Sequence, residues 1–194
     1  MADPIEVVEA RNHTNDKEYY EELVKTMPLL IEWANEEIRD DKNILLEAVK
    51  VDGGALEFAS ERLKDDKDIL LAAVTQAGWT ACYASEELRA DKDVMLTACK
   101  GDGQVLYFAS EELRDDKDVV LAAVENKPII IKYASLRLRQ DKEVAQKAVA
   151  KAKEKATDYQ TELLLKAVVS FISEDLQKDE DIQKILNPEE KKES

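Results

Sequence analysis

Apolar residues return along this chain in blocks that keep one internal order. Positions are counted here from an Asp that recurs at Asp41, Asp66, Asp91, Asp116 and Asp141. Positions three to five after it are apolar, as in Ile44-Leu45-Leu46, Ile69-Leu70-Leu71, Val94-Met95-Leu96 and Val119-Val120-Leu121. Position seven is Ala48, Ala73, Ala98, Ala123 and Ala148, and position eight is Val49, Val74, Cys99, Val124 and Val149. At about 100° per residue these positions cover most of a helix circumference. Positions two, six and nine stay mainly polar or small. The pattern predicts a nearly enclosed helix with one narrow wet stripe, and the alanine column lets neighbouring helices approach closely.

A second apolar block follows each first one. Position twelve is Pro28, Gly53, Gly78, Gly103 or Pro128, which fits a turn entering a helix. Position seventeen is aromatic (Trp33, Phe58, Tyr83, Phe108, Tyr133), position eighteen is Ala, and position twenty-two is Ile or Leu. Positions fourteen, fifteen, eighteen and twenty-two predict one apolar face of a second helix, with the ring at its edge leaning on the next repeat. The Asp-Lys pair that sets the count falls at Asp16, Asp41, Asp66, Asp91, Asp116 and Asp141, a step of 25 residues each time. A fixed period of this kind marks stacked supersecondary units. Helices of about ten residues are marginal alone in water, so stacking must stabilise them. The predicted fold is all-α: a right-handed α-solenoid of short helix-turn-helix hairpins with a 25-residue repeat.

The Asp is placed to cap the first helix, accepting a bond from an otherwise orphaned N–H. An acid two residues later (Asp68, Asp93, Asp118, Glu143) then sits near the positive end of the helix dipole. Capping accounts for the regularity of these aspartates better than catalysis does. The position-twelve glycines each stand in a different repeat and build no phosphate-binding run.

The strings FASERLKDDKDILLAAVTQAG (58–78), YASEELRADKDVMLTACKGDG (83–103) and FASEELRDDKDVVLAAVENKP (108–128) resemble the domain of unknown function numbered 4116. The resemblance spans about residues 28–150. It implies a helical repeat family with no family active site to carry over. The fit weakens in residues 16–40, where Asn35 replaces Ser, and in the sixth repeat, where Gln146 replaces Leu. The pattern returns at Phe171-Ile172-Ser173-Glu174-Asp175-Leu176 and leads to Asp179, 38 residues after Asp141 rather than 25, so 13 residues are inserted. Four segments follow: an N-terminal segment over 1–15, a short helix from Pro4 or partly disordered; the repeat array over 16–150; a longer, more polar capping hairpin and short final helix over 151–188; and a flexible tail over 189–194.

Composition narrows the functional classes. The net charge of −15 argues against duplex nucleic acid and anionic membranes as partners, and suits solubility or a basic protein partner. Cys82 and Cys99 form neither a disulfide framework nor a zinc spacing. No secretory signal or membrane span is visible, so a soluble protein of a reducing, cytoplasmic compartment is expected. His13 lacks a carboxylate-and-nucleophile pattern and reads as a surface residue, and neither a metal cluster nor a cofactor fingerprint is present. No catalytic, cofactor or metal residue is assigned, and a non-enzyme is expected.

The remaining signal lies where the repeats differ. Across repeats two to five, positions thirteen, sixteen and twenty read Gly54/Glu57/Glu61, Trp79/Cys82/Glu86, Gln104/Tyr107/Glu111 and Ile129/Lys132/Leu136. Trp79 and Tyr107 are large rings where the fold asks for nothing apolar. With Cys82, Glu86, Glu111, Ile129 and Leu136 they form the candidate partner-binding set, aromatic anchors with a charged rim. The competing reading is that Trp79 folds back on its own stack, or that Ile129 and Leu136 lie under the terminal hairpin. A basic ladder (Arg39, Lys64, Arg89, Arg114, Arg139), followed by the Lys of each Asp-Lys, is expected to be neutralised, by Glu36, Glu61, Glu86 and Glu111 three residues before the first four and by the acids at positions zero, two and twenty-four. The function expected is a protein-interaction scaffold or adaptor, a monomer or part of a larger assembly. The alternative is an acidic inhibitor or nucleic-acid mimic, of viral or mobile-element origin, that blocks a basic protein.

Overall fold

The first helix of each repeat forms where the apolar spacing places it, and the computed structural model, which describes residues 4–156 and 159–188, contains helices and no strand among them. The chain divides into two compact units, 1–101 and 102–194. The 189–194 tail lies outside the described residues.

In the first unit, α1 (Ile5–Asn12) and α2 (Lys17–Leu23) precede three pairs of a short and a longer helix. The short helix α3 (Glu36–Arg39) leads into α4 (Lys42–Val51), α5 (Glu61–Lys64) into α6 (Lys67–Gln76), and α7 (Glu86–Arg89) into α8 (Lys92–Gly101). α4 packs on α6 and α6 on α8, as consecutive units of a solenoid do. Ile44, Leu45, Ala48 and Val49 of α4 are buried, as are Ile69, Leu70, Ala73 and Val74 of α6. Each such Ile, Leu or Val contributes about 1.5–3 kcal/mol, which a ten-residue helix lacks when alone. The position-five leucines, Leu46 and Leu71, are only half-buried, so the wet stripe is wider than expected.

The second block is not one helix. It is a 3₁₀ segment, a break, and a single α-turn. The 3₁₀ segments are Pro28–Trp33, Gly53–Phe58 and Gly78–Tyr83. Each ends at the position-eighteen Ala, which is extended (Ala59, φ −64°, ψ 155°). The following Ser then opens a new turn. The Ser60 hydroxyl accepts from the Leu63 amide at 3.3 Å and that of Ser85 from Leu88 at 3.2 Å. Asn35 does the same for Ile38 at 2.9 Å, so its departure from Ser keeps the cap. The glycines also act differently from expected, since none has positive φ. A Cβ on Gly53 would fall within 3.0 Å of the Ala73 carbonyl oxygen in the next repeat, so missing bulk is what the site requires.

In the second unit, α9 (Glu111–Arg114), α10 (Lys117–Asn126) and α11 (Leu136–Arg139) continue the pattern with 3₁₀ segments Gly103–Phe108 and Pro128–Tyr133. α12 (Lys142–Lys155) is longer, and α13 (Tyr159–Phe171), α14 (Glu174–Gln177) and α15 (Glu180–Leu186) complete the chain. α12 packs on α10 and α15, and α13 packs on the segment Pro128–Tyr133. The inserted residues lengthen α12 and replace the next 3₁₀ segment by the full helix α13. Ser173 and Asp179 still cap α14 and α15.

Candidate functional site

The repeated Asp-Lys pair is internal to the stack. Asp66 Oδ1 accepts from the amides of Asp68 at 3.0 Å and Ile69 at 3.2 Å, while its Oδ2 accepts from Lys42 Nζ of the preceding repeat at 2.7 Å. The same pairing joins Lys17 to Asp41 and Lys67 to Asp91 at 2.6 Å in the first unit. In the second unit it joins Lys117 to Asp141 and Lys142 to Asp179 at 2.9 Å, so it passes the insertion intact. Burial pushes the Asp66 carboxyl up, but the Lys42 bond and the two amides outweigh it and hold it below the usual carboxylate range. Main-chain bonds add to the ladder, from Asn35 N to Thr14 O at 2.8 Å and from Ser135 N to Arg114 O at 2.9 Å.

A second clasp occurs only where position twenty-one is Arg. The Ser60 hydroxyl donates to Asp40, and Arg62 Nε reaches the same carboxylate at 3.1 Å. Ser135, Asp115 and Arg137 repeat the arrangement in the second unit. The other basic ladder is not the neutralised edge that was expected. Lys64 pairs with Glu61 at 3.0 Å, but Arg114 Nε donates inward to the Ala109 carbonyl at 2.9 Å. The Nε atoms of Arg39, Arg89 and Arg139 are buried without a hydrogen-bond partner.

What the scaffold leaves outward are the faces of the 3₁₀ segments. Side chains three apart eclipse in a 3₁₀ helix, so positions thirteen and sixteen form paired rows. In the first unit these are Leu29/Glu32, Gly54/Glu57 and Trp79/Cys82. Trp79 is 44% exposed and meets Tyr83 edge-on at 5.9 Å, so it leans on its own segment without being covered. Cys82 and Glu86 are exposed. Burial raises the Cys82 thiol above its ordinary value, which disfavours a thiolate nucleophile. Gly54, placed outward by the sequence pattern, is buried because Leu29 and Trp79 flank it. Leu29 is itself 44% exposed and stands at the register of Trp79, so the same signal extends to residues 16–40.

In the second unit, Tyr107 is 53% exposed and meets Phe108 at 5.2 Å and Tyr133 at 5.0 Å, both edge-on. Glu111 is exposed, and Leu136 is the most open of the candidate apolar residues at 64%. Ile129 is half-buried on the segment that α13 packs against. Trp79 and Tyr107 fall in different units, and each belongs to its own local cluster. Among the described residues, no group of His, Cys, Asp and Glu could hold a metal ion, and no helix is long and apolar enough to cross a membrane.

Stacked 25-residue units, capped by Asp and, within each compact unit, tied to a neighbour by Lys, define a helical repeat protein. The model of one such family, the domain of unknown function DUF4116, matches residues 16–64, 41–89, 66–114, 91–139 and 116–154. The chain belongs to the DUF4116 family. The match takes in both weaker ends, the repeat with Asn35 and the one with Gln146. No curated protein and no solved structure matches the chain.

Proposed function

We propose that this protein is a non-enzymatic interaction scaffold that holds a protein partner on the outward faces of its 3₁₀ segments. The observation that carries the reading is the division of labour between positions. The recurring Asp, Lys and Ser are consumed by caps and inter-repeat bonds, whereas the positions that differ between repeats expose Leu29, Trp79, Tyr107 and Leu136. Large apolar side chains left in water without a structural task are the usual anchors of protein interfaces. Cys82, exposed and outside any disulfide, fits a reducing, cytoplasmic setting. The nucleic-acid-mimic alternative draws less support, because Asp41, Asp66, Asp91 and Asp141 are each engaged by a helix and a lysine rather than presented as a free row. Photo-crosslinking residues placed at Trp79 and at Tyr107 test the reading in cells. Covalent capture of another protein at either site is the expected result. Capture at neither, with capture at a ladder position such as Lys67, overturns it.

A further inference from the structure

Part of the exposed apolar surface of the first unit is continuous. Pro4, Val7, Met27, Leu29 and Leu30 line a groove of about 360 Å³ between α1 and the segment Pro28–Trp33. Met27 and Leu29 are 39% and 44% exposed there. The strip continues past the groove, since a Cβ on Gly54 would stand 3.5 Å from Leu29 Cδ2 on one side and 3.6 Å from the Trp79 ring on the other. Leu29, the glycine and Trp79 thus make one apolar band across three repeats.

Acids line the groove and its rim, and the nearby bases are already engaged. Glu6 and Asp52 line the groove. Glu32 and Glu57 are exposed and eclipse Leu29 and Gly54 along the 3₁₀ segments. Lys25 and Lys50, which flank these segments in sequence, are held by Glu22 at 2.6 Å and Glu47 at 2.7 Å. Arg11 lies over the Trp33 ring, 3.9 Å from its centroid. Residues 1–101 hold 23 acids and 12 bases, a net −11, against −4 for the 20 acids and 16 bases of residues 102–194. The apolar band therefore lies in the more acidic part of the chain.

We propose that this band is the docking site for a basic amphipathic segment of a partner protein. Its apolar residues seat between Met27 and Leu29 and run toward Trp79, while its Lys or Arg side chains reach Glu6, Asp52, Glu32 and Glu57. Charge complementarity selects this occupant. A second copy of this chain would bring its own −11 to the same surface, and an anionic membrane would be repelled. The proposal rests on the reading of the chain as an interaction scaffold and adds the partner's chemistry.

The probe is a fluorescein-labelled synthetic peptide of about 16 residues with Leu on one helical face and Lys on the other, long enough to form a helix when bound. Anisotropy is read against the full chain, beside analogues in which every Lys is Gln or Glu. The Lys peptide is expected to bind and the Glu peptide not. Met27→Ser with Leu29→Ser should weaken binding about tenfold or more, with Leu136→Ser unchanged. Glu32→Gln with Glu57→Gln should weaken binding and flatten its salt dependence. The substituted side chains are all partly or fully exposed, and circular dichroism confirms that the variants fold. Equal binding by M27S/L29S and L136S means that bulk charge alone is recognised, which overturns the proposal. So does equal binding of the Gln or Glu peptide, or a dimer in sedimentation that Leu29→Ser dissolves. Crosslinks from Trp79 or Tyr107 to a cellular partner would stand after such a failure, so the two readings fail separately.

Discussion

Replacing Asp66 separates the two bonds that each repeated aspartate makes. Asp66→Ala removes the acceptor for the Asp68 and Ile69 amides and the partner of Lys42. The lost cap costs about 1 kcal/mol. The ion pair is partly exposed, at 42% for Lys42 and 22% for Asp66, and adds about 0.5 kcal/mol, giving about 1.5 kcal/mol in all. Asp66→Asn keeps an oxygen for the amides and loses only the charge, so it should cost about 0.5 kcal/mol. Lys42→Met should be mildly destabilising, since Lys42 also meets Asp68 at 3.2 Å. The double variant Lys42→Met/Asp66→Asn should then cost less than its two parts together. Urea unfolding followed by far-ultraviolet circular dichroism at neutral pH reads these differences. The gap between wild type and Asp66→Ala should also close with acid. The folded carboxyl lies below its unfolded value of about 3.9, so its contribution is complete above that pH and is lost as pH falls through the folded value. Asp66→Asn costing as much as Asp66→Ala, or strictly additive effects of Lys42 and Asp66, would refute the reasoning.

Gly53→Ala should destabilise by about 1–3 kcal/mol through overpacking against the Ala73 carbonyl, whereas Gly54→Ala meets that crowding only at Asp52 Oδ1, 3.0 Å away; thermal melts compare the two. Ser60→Ala removes both a cap and the bond to Asp40, so its cost in denaturant should exceed that of Ser85→Ala, which removes the cap. Acid unfolding should set in as pH falls below about 4, because Asp16, Asp41, Asp91, Asp141 and Asp179 share the depressed carboxyls of Asp66; circular dichroism against pH checks the window. Tyr20 is pushed up to about 12 by burial, with its hydroxyl donating to the Ala10 carbonyl at 3.1 Å. Its contribution holds below the unfolded value of about 10 and fades through about 12, which ultraviolet titration of wild type against Tyr20→Phe detects.

The first helices were legible because four apolar positions per turn-and-a-half leave few other structures, and Asp at a fixed distance before them reads as a cap. The second block misled because Ala-Ser-Glu continues a helical hydrophobic spacing. Only the extended Ala59 and the Ser60 cap reveal that the chain turns there. A glycine at position twelve suggests a special dihedral, yet the requirement comes from a carbonyl in the next repeat, which no local reading contains. Lysine pairing has the same long-range character. The acids beside each lysine in its own turn and an acid in the following repeat look equally available in sequence, and stacking selects the latter for Lys42, Lys67 and Lys117. The outward positions of Trp79 and Tyr107 were legible by comparing repeats. The burial of Gly54 between Leu29 and Trp79, and the packing of α13 beside Ile129, were not, because each depends on a neighbouring unit.

The central claim is that recurring positions hold the stack and differing positions meet the partner. Affinity capture with quantitative mass spectrometry tests it on wild type, Asp66→Asn/Asp141→Asn and Trp79→Ala/Tyr107→Ala side by side, each with its melting curve. The ladder variant should melt earlier yet keep its partners below that temperature. The Trp79/Tyr107 variant should lose partners with its melting curve unchanged. Partners lost with the ladder variant while still folded, and kept by the Trp79/Tyr107 variant, would contradict the account.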